Sequence, residues 1–205
     1  MNKKNDISPY TEWVKSRLDE MEAVLKVVEN TVEGVAADTR KNADQTVKDM
    51  KKHRDAFKAK LKDEYKDDAK AWSETREKLE KEWDAFEDNV EAYWKSVGEK
   101  SGAVEDAFKA QAEAQQKAWN DTAERIRQAA AEFKADRDAE VDAAVAKADQ
   151  MAQNAGAKLG HMGDAGKASW AALRSALTES RSAFDAANTK AQAAFKDAMK
   201  KNQKT

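Results

Sequence analysis

Residues 72–97 read WSETREKLEKEWDAFEDNVEAYWKSV, and their spacing decides the fold class. The large apolar side chains fall at Trp72, Leu79, Trp83, Phe86, Val90, Trp94 and Val97, separated by three, four or seven residues. Steps of three and four return to one face of an α-helix, whereas a strand alternates every second residue. Between the apolar positions lie acids and bases that can pair one turn apart: Glu74 with Lys78, Glu77 with Lys81 and Arg76 with Glu80. Each such pair supports an exposed helix by a few tenths of a kcal/mol.

The same face continues in both directions. Upstream, Ser8-Pro9 opens a helix, with Ser as cap and Pro at a first position whose N–H has no partner to lose. Trp13, Val14, Leu18, Met21, Leu25, Val28, Val32 and Val35 then form a stripe, which thins after Gly34 to Thr39, Ala43, Val47 and Met50. This thinner stretch is expected to be weak or bent. Downstream from Phe57 the stripe runs through Phe108, Trp119, Ile126, Phe133, Trp170, Leu177 and Phe184 to Phe195, at about 3.63 residues per turn. That period matches a straight helix or an 11-residue repeat, and disfavours one extended left-handed coiled coil.

Composition agrees. The 205 residues contain no Cys, one Pro and 41 Ala, with 42 large apolar side chains among them. Ile, Leu, Val and Phe total only 27, low for a globular core, but 37 cations against 39 anions lack the imbalance of a disordered chain. An all-α, elongated helical bundle or coiled coil is expected, with helices near 9–50, 55–97, 103–154 and 166–199. The segments read as a polar lead (1–8), a long-helix region (9–97), a glycine break (98–102), an Ala-rich helix (103–155), a glycine-rich stretch (156–166), a C-terminal helix (167–200) and a basic tail (201–205). Gly98 and Gly102 mark the first break, with Ser101 available to cap a new helix. Gly156, Gly160, Gly163 and Gly166 mark a bend, or alternatively a small-residue stripe on a continuous helix.

One pattern recurs. Trp72, Thr75, Leu79 and Phe86 match Trp119, Thr122, Ile126 and Phe133, and again Trp170, Leu173, Leu177 and Phe184, at offsets of zero, three, seven and fourteen. The units suggest duplicated helical modules. These aromatic and aliphatic residues, with Trp83, Trp94 and Phe108, form the candidate apolar binding stripe.

Chemical motifs are scarce. Two histidines leave almost no material for an imidazole metal site, and Asp49 with His53 shares a helix face without implying one. Phosphate loop, dinucleotide fingerprint, calcium loop and nucleophile elbow are missing, so no catalysis, cofactor or metal is expected. Lys48, Lys51, Lys52, Arg54, Lys58, Lys60 and Lys62 form a basic patch against two aspartates, which fits an anionic surface or a solvated helix face. Residues 74–91, with three cations and eight anions, would be repelled by an anionic leaflet. Clustered cations along one face are too few for nucleic acid. No apolar run suggests a signal or spanning segment, and a cytoplasmic address is the default expectation.

In size, in its Ala-, Lys- and Glu-rich and Cys-free composition, and in amphipathic helices near the 11-residue period over most of residues 57–200, the chain resembles bacterial phasins and, more loosely, apolipoprotein-type helical proteins. The resemblance implies a granule- or lipid-associated structural role and oligomers. The function expected of the stripe is coating a hydrophobic surface such as a granule, lipid or membrane interface; the alternative is a self-assembling coiled-coil scaffold or adaptor that binds protein partners through it.

Overall fold

The structure, a computed structural model, describes residues 9–63, 69–98, 101–132 and 170–202, together with isolated helical positions between 143 and 157. The chain is all-α. The helices whose bounds are described are α1 (Pro9–Val32), α2 (Ala37–Asp63), α3 (Ala69–Val97), α4 (Ser101–Glu132) and α5 (Trp170–Asn202), and the described residues contain no strand.

Pro9 occupies the first position of α1, where its missing N–H costs nothing. The helix ends at Val32 in a tight turn. There the Gly34 N–H donates to the Thr31 carbonyl at 3.1 Å and the Val35 N–H to the Val32 carbonyl at 3.2 Å. The Arg40 guanidinium donates to the Glu33 carbonyl at 3.0 Å, satisfying an acceptor that the turn leaves open. Asp38 in the first turn of α2 suits the positive end of the helix dipole.

The boundaries here differ from those expected. The single helix over 9–50 is two, divided at 33–36, and α2 passes without interruption through 50–55, where a gap was expected. Gly34 supplies a local break that the stripe alone does not reveal, whereas no Gly or Pro lies between Ala37 and Asp63. The thin stretch is also not weak: Ala43, Val47 and Met50 are buried, and with Phe57 two turns later they form one continuous core face of α2. The expected helix over 55–97 is likewise resolved into α2, ending at Asp63, and α3, starting at Ala69. Residues 64–68 and the glycine cluster at 156–166 lie outside the described segments.

The expected break at 98–102 is narrower: α3 ends at Val97 and α4 already begins at Ser101, so Gly102 lies within a helix. Gly98 follows the last residue of α3 with φ +76°, the left-handed conformation in which helices commonly terminate.

Side-chain pairs fix the helix directions. Glu29 meets Lys51 and Glu22 meets Lys58, so α1 and α2 are antiparallel. Lys15 meets Asp121 and Glu20 meets Gln115, so α1 and α4 are antiparallel. Glu91 meets Arg174 and Glu87 meets Arg181, which runs α5 against α3. Gln115 reaches the Leu177 carbonyl and Trp119 stacks on Phe184, so α4 and α5 are parallel. The most extensive packing is of α2 on α3 and of α1 on α4, and one hydrophobic core draws residues from all five helices.

Gly98 and Gly102 make opposite predictions. A Cβ at either position meets open space, so only backbone preference decides. Gly98→Ala is expected to lower stability by about 1 kcal/mol because of its positive φ, and Gly102→Ala, inside α4, to raise it by up to about 1 kcal/mol. Urea denaturation followed by circular dichroism measures both signs.

Candidate functional site: an aromatic and arginine core

The stripe faces inward. Leu79, Trp83, Phe86, Trp94, Phe108, Trp119, Trp170, Leu177 and Phe184 are all buried, none more than 6% exposed. The side chains of Trp72, Ile126 and Phe133 lie outside the described residues. Trp94 packs against Trp170 with ring centroids 6.1 Å apart, Tyr93 sets its edge to Trp94 at 4.9 Å, and Trp119 stacks on Phe184 at 5.4 Å. The tryptophan heading the second repeat thus meets the phenylalanine closing the third. The third unit's tryptophan meets Trp94, which belongs to none of the three. Thr75 and Thr122 are buried at equivalent positions, and the Thr122 hydroxyl donates to the Ala118 carbonyl at 2.8 Å, which lets a polar group sit on the core face.

Among the aromatic residues stand charges. Arg17 and Glu20 lie on α1 between Val14 and Met21, Glu87 lies on α3 beside Phe86, and Arg181 lies on α5 between Leu177 and Phe184. Glu20 is 0% exposed and Arg181 3%. The Arg181 guanidinium donates to Glu20 at 2.7 Å and to Glu87 at 2.7 Å, so one cation joins α1, α3 and α5. Gln115 of α4 also donates to Glu20, at 3.0 Å. Arg17 donates to Asp185 at 2.7 Å, and the Trp13 indole N–H reaches the same carboxylate oxygen at 3.1 Å. Near the surface, Arg174 spans Glu87, Asp88 and Glu91 at 3.0 to 3.2 Å.

Guanidinium groups and indoles alternate through this region. Arg76 lies 5.4 Å from the Trp13 ring centroid, Arg17 lies 5.1 Å from Trp13 and 5.6 Å from Trp83, and Arg181 lies 4.6 Å from Trp83. The ring faces carry negative potential, so they partly replace the water that the arginines lose. Burial nevertheless leaves its mark on protonation. It raises the carboxyl of Glu20 above the usual range despite Arg181 and Arg17, and raises that of Asp185 despite Arg17. Burial also lowers the Arg17 guanidinium, with Asp185 and Glu20 opposing the shift. For Arg181 burial pulls the same way, but attraction from Glu20 and Glu87 overcomes it and the net direction is upward. The buried Tyr93 phenol, which donates to the Val28 carbonyl at 3.3 Å, is pushed up to about 12, chiefly by burial.

Arg17, Glu20, Glu87 and Arg181 were not among the candidate residues. Their signal is a charged residue at a stripe position with apolar neighbours three or four residues away on both sides, a position that a solvated face does not supply.

The basic patch divides. Lys51 and Lys58 bind Glu29 and Glu22 and so join α2 to α1, and Arg54 pairs with Asp55. Lys48 and Lys52 are exposed, and the side chains of Lys60 and Lys62 lie outside the described residues. Asp49 accepts from Gln45 at 3.3 Å, while His53 turns to Glu82 on α3 at 2.8 Å, so the two do not converge. Among the described residues no group of three or more His, Cys, Asp or Glu could hold a metal ion, and no helix is long and apolar enough to cross a membrane. Comparison with protein-family models, curated proteins and solved structures gave no match.

Removing one member of the network is expected to cost far more than removing all of it. Glu20→Ala leaves Arg181 and Arg17 undercompensated and should destabilise by about 3–5 kcal/mol, whereas replacing Arg17, Glu20, Glu87, Arg181 and Asp185 together by Met or Leu should be neutral or stabilising. Denaturant melts of the two proteins compare them directly.

Acidification gives a second test. A carboxyl whose folded pKa is raised stabilises the fold below its unfolded value, about 4.3 for Glu, and loses that contribution as pH rises through the folded value. Glu20 therefore adds stability as pH falls through its raised folded value towards about 4.3, while the carboxyls of Glu77, Glu91 and Asp121, lowered by their lysine partners, lose their weak contribution only below that range. Tm should hold or rise over that interval, and Glu20→Gln should flatten the response. A steady fall in Tm, the same in both proteins, would contradict this.

Proposed function

We propose that this chain is a non-catalytic structural protein: a self-contained helical bundle whose apolar stripe is its own core, and whose charged exterior serves as a scaffold or adaptor surface for other proteins. The burial of Trp13, Trp83, Trp94, Trp119 and Trp170, none more than 5% exposed, carries this reading. A stripe kept ready for a surface would leave large aromatic faces in water, and such patches are rare on soluble chains unless they serve as binding sites. The exterior is instead laced with ion pairs one turn apart, such as Arg76 with Glu80, Glu77 with Lys81 and Glu91 with Lys95. The reading involves no cofactor.

A second reading, phasin-like coating of a hydrophobic surface, has one specific observation in its favour. The indole N–H groups of Trp94, Trp119 and Trp170 are buried without a hydrogen-bond partner, and an orphaned donor costs about 1–3 kcal/mol. At an oil–water boundary an indole can bury its ring and wet its N–H. Coating would require the bundle to open first.

Tryptophan emission and circular dichroism, with and without neutral phospholipid vesicles or hydrophobic particles, separate the two. The self-contained bundle predicts blue-shifted, quencher-protected emission in dilute buffer that does not move on adding the surface. Helicity and protection that both rise with the surface would replace it with the coating reading.

A further inference from the structure

Where α1, α3 and α5 meet, a cleft of about 650 Å³ opens beside the arginine and tryptophan chain. This volume lies within the ordinary range for small-molecule sites, about 300–1,000 Å³. Its lining carries four cations and four carboxylates. Three of each are matched at 2.7 Å: Arg17 with Asp185, Arg76 with Glu80 and Arg181 with Glu87. One acid and one base remain, Asp84 on α3 and Lys190 on α5, both exposed. Neither makes an ion pair or a hydrogen bond among the described residues. Trp13 and Trp83 supply the apolar part of the lining.

We propose that this cleft binds a small zwitterion, its ammonium on Asp84, its carboxylate on Lys190 and its apolar body against Trp13 and Trp83. Charge balance argues for a neutral molecule with separated charges. A simple anion could neutralise Lys190 but would leave Asp84 uncompensated, and a simple cation could neutralise Asp84 but would leave Lys190 so, since the other six charges of the lining are already paired. The Asp84 side also favours an added cation. Partial desolvation of this otherwise exposed carboxyl, with Glu87, Asp88 and Glu80 nearby, holds it above the usual range, and Arg174 only partly offsets them. The Ser182 hydroxyl in the lining can complete the hydrogen bonds of either end, and that of Thr189, which donates to the Asp185 carbonyl at 2.8 Å, can accept from the ammonium.

Straight-chain ω-amino acids from aminobutyrate to aminooctanoate, titrated into the full chain, test this by calorimetry and by quenching of tryptophan emission. The proposal requires saturable one-to-one binding by at least one member. It also requires a loss of about tenfold or more in Asp84→Asn and in Lys190→Gln, and comparable weakening for the matched monoamine and monoacid. Both substitutions are at exposed positions, and unchanged circular dichroism and Tm would show that the variants fold. No saturable binding up to on the order of 10 mM overturns the proposal. So does equal binding by the two variants, or binding of hexylamine as tight as that of aminohexanoate.

Discussion

A charge taken out of water must be met by another, and in this chain that requirement fixes three helices at once. Glu20 comes from α1, Glu87 from α3 and Arg181 from α5, and the planar guanidinium accepts carboxylates only along its N–H directions. Rotating any of the three helices by one residue, about 100°, would remove its charge from the junction and leave the others stranded. The network contributes little net stability, because desolvation offsets most of its attraction. Its effect is to make one arrangement of amphipathic helices much better than its neighbours. For sequences this repetitive, where an Ala-rich face fits almost anywhere, such a restriction has real work to do.

Stability then comes from apolar burial, and the scarcity of large aliphatic residues explains why tryptophan dominates. One indole fills the space of several smaller side chains, and its face can also lie against a guanidinium group. Trp83 does both, lying between Arg17 and Arg181 while stacking on Phe86 at 6.2 Å. The alanines have a complementary place. Ala107, Ala118 and Ala123 on α4 and Ala176 and Ala187 on α5 are buried, so these two helices present small surfaces against which Trp119, Trp170 and Phe184 can seat.

The sequence reveals the class of fold because periodicity is a local property: residues three and four apart share a face whatever that face touches. The break at Gly98 was legible for the same reason, since a positive φ is a local demand that glycine meets. The turn at 33–36 and the continuity of α2 were less so, because one glycine in an Ala- and Val-rich stretch is weak punctuation and six mostly charged residues lie between Met50 and Phe57. The inward direction of the stripe was not legible in its spacing. A face that coats a particle and a face that closes on a sister helix have the same spacing and the same composition, so the resemblance to phasins cannot distinguish them. Arg17, Glu20 and Arg181 carried a sign of closure: a charged residue amid stripe positions costs little if a partner helix brings the opposite charge, and a good deal on an oily surface.

The same residues bear on whether the helices could separate. Opening would return Glu20, Glu87, Arg17 and Arg181 to water, which hydrates them well, so the ionic part of the core resists separation only weakly. The aromatic part resists strongly, since exposing a large apolar side chain costs about 1.5–3 kcal/mol each. In water, therefore, the tryptophans hold the helices together and the charges determine how they are aligned. A hydrophobic surface would have to cover Trp13, Trp83, Trp94, Trp119 and Trp170 as completely as the neighbouring helices do before it could compete. The closed and open arrangements thus differ in what covers the indoles, and the α1, α3 and α5 junction is where the two demands, neutralised charge and covered ring, are met by the same side chains.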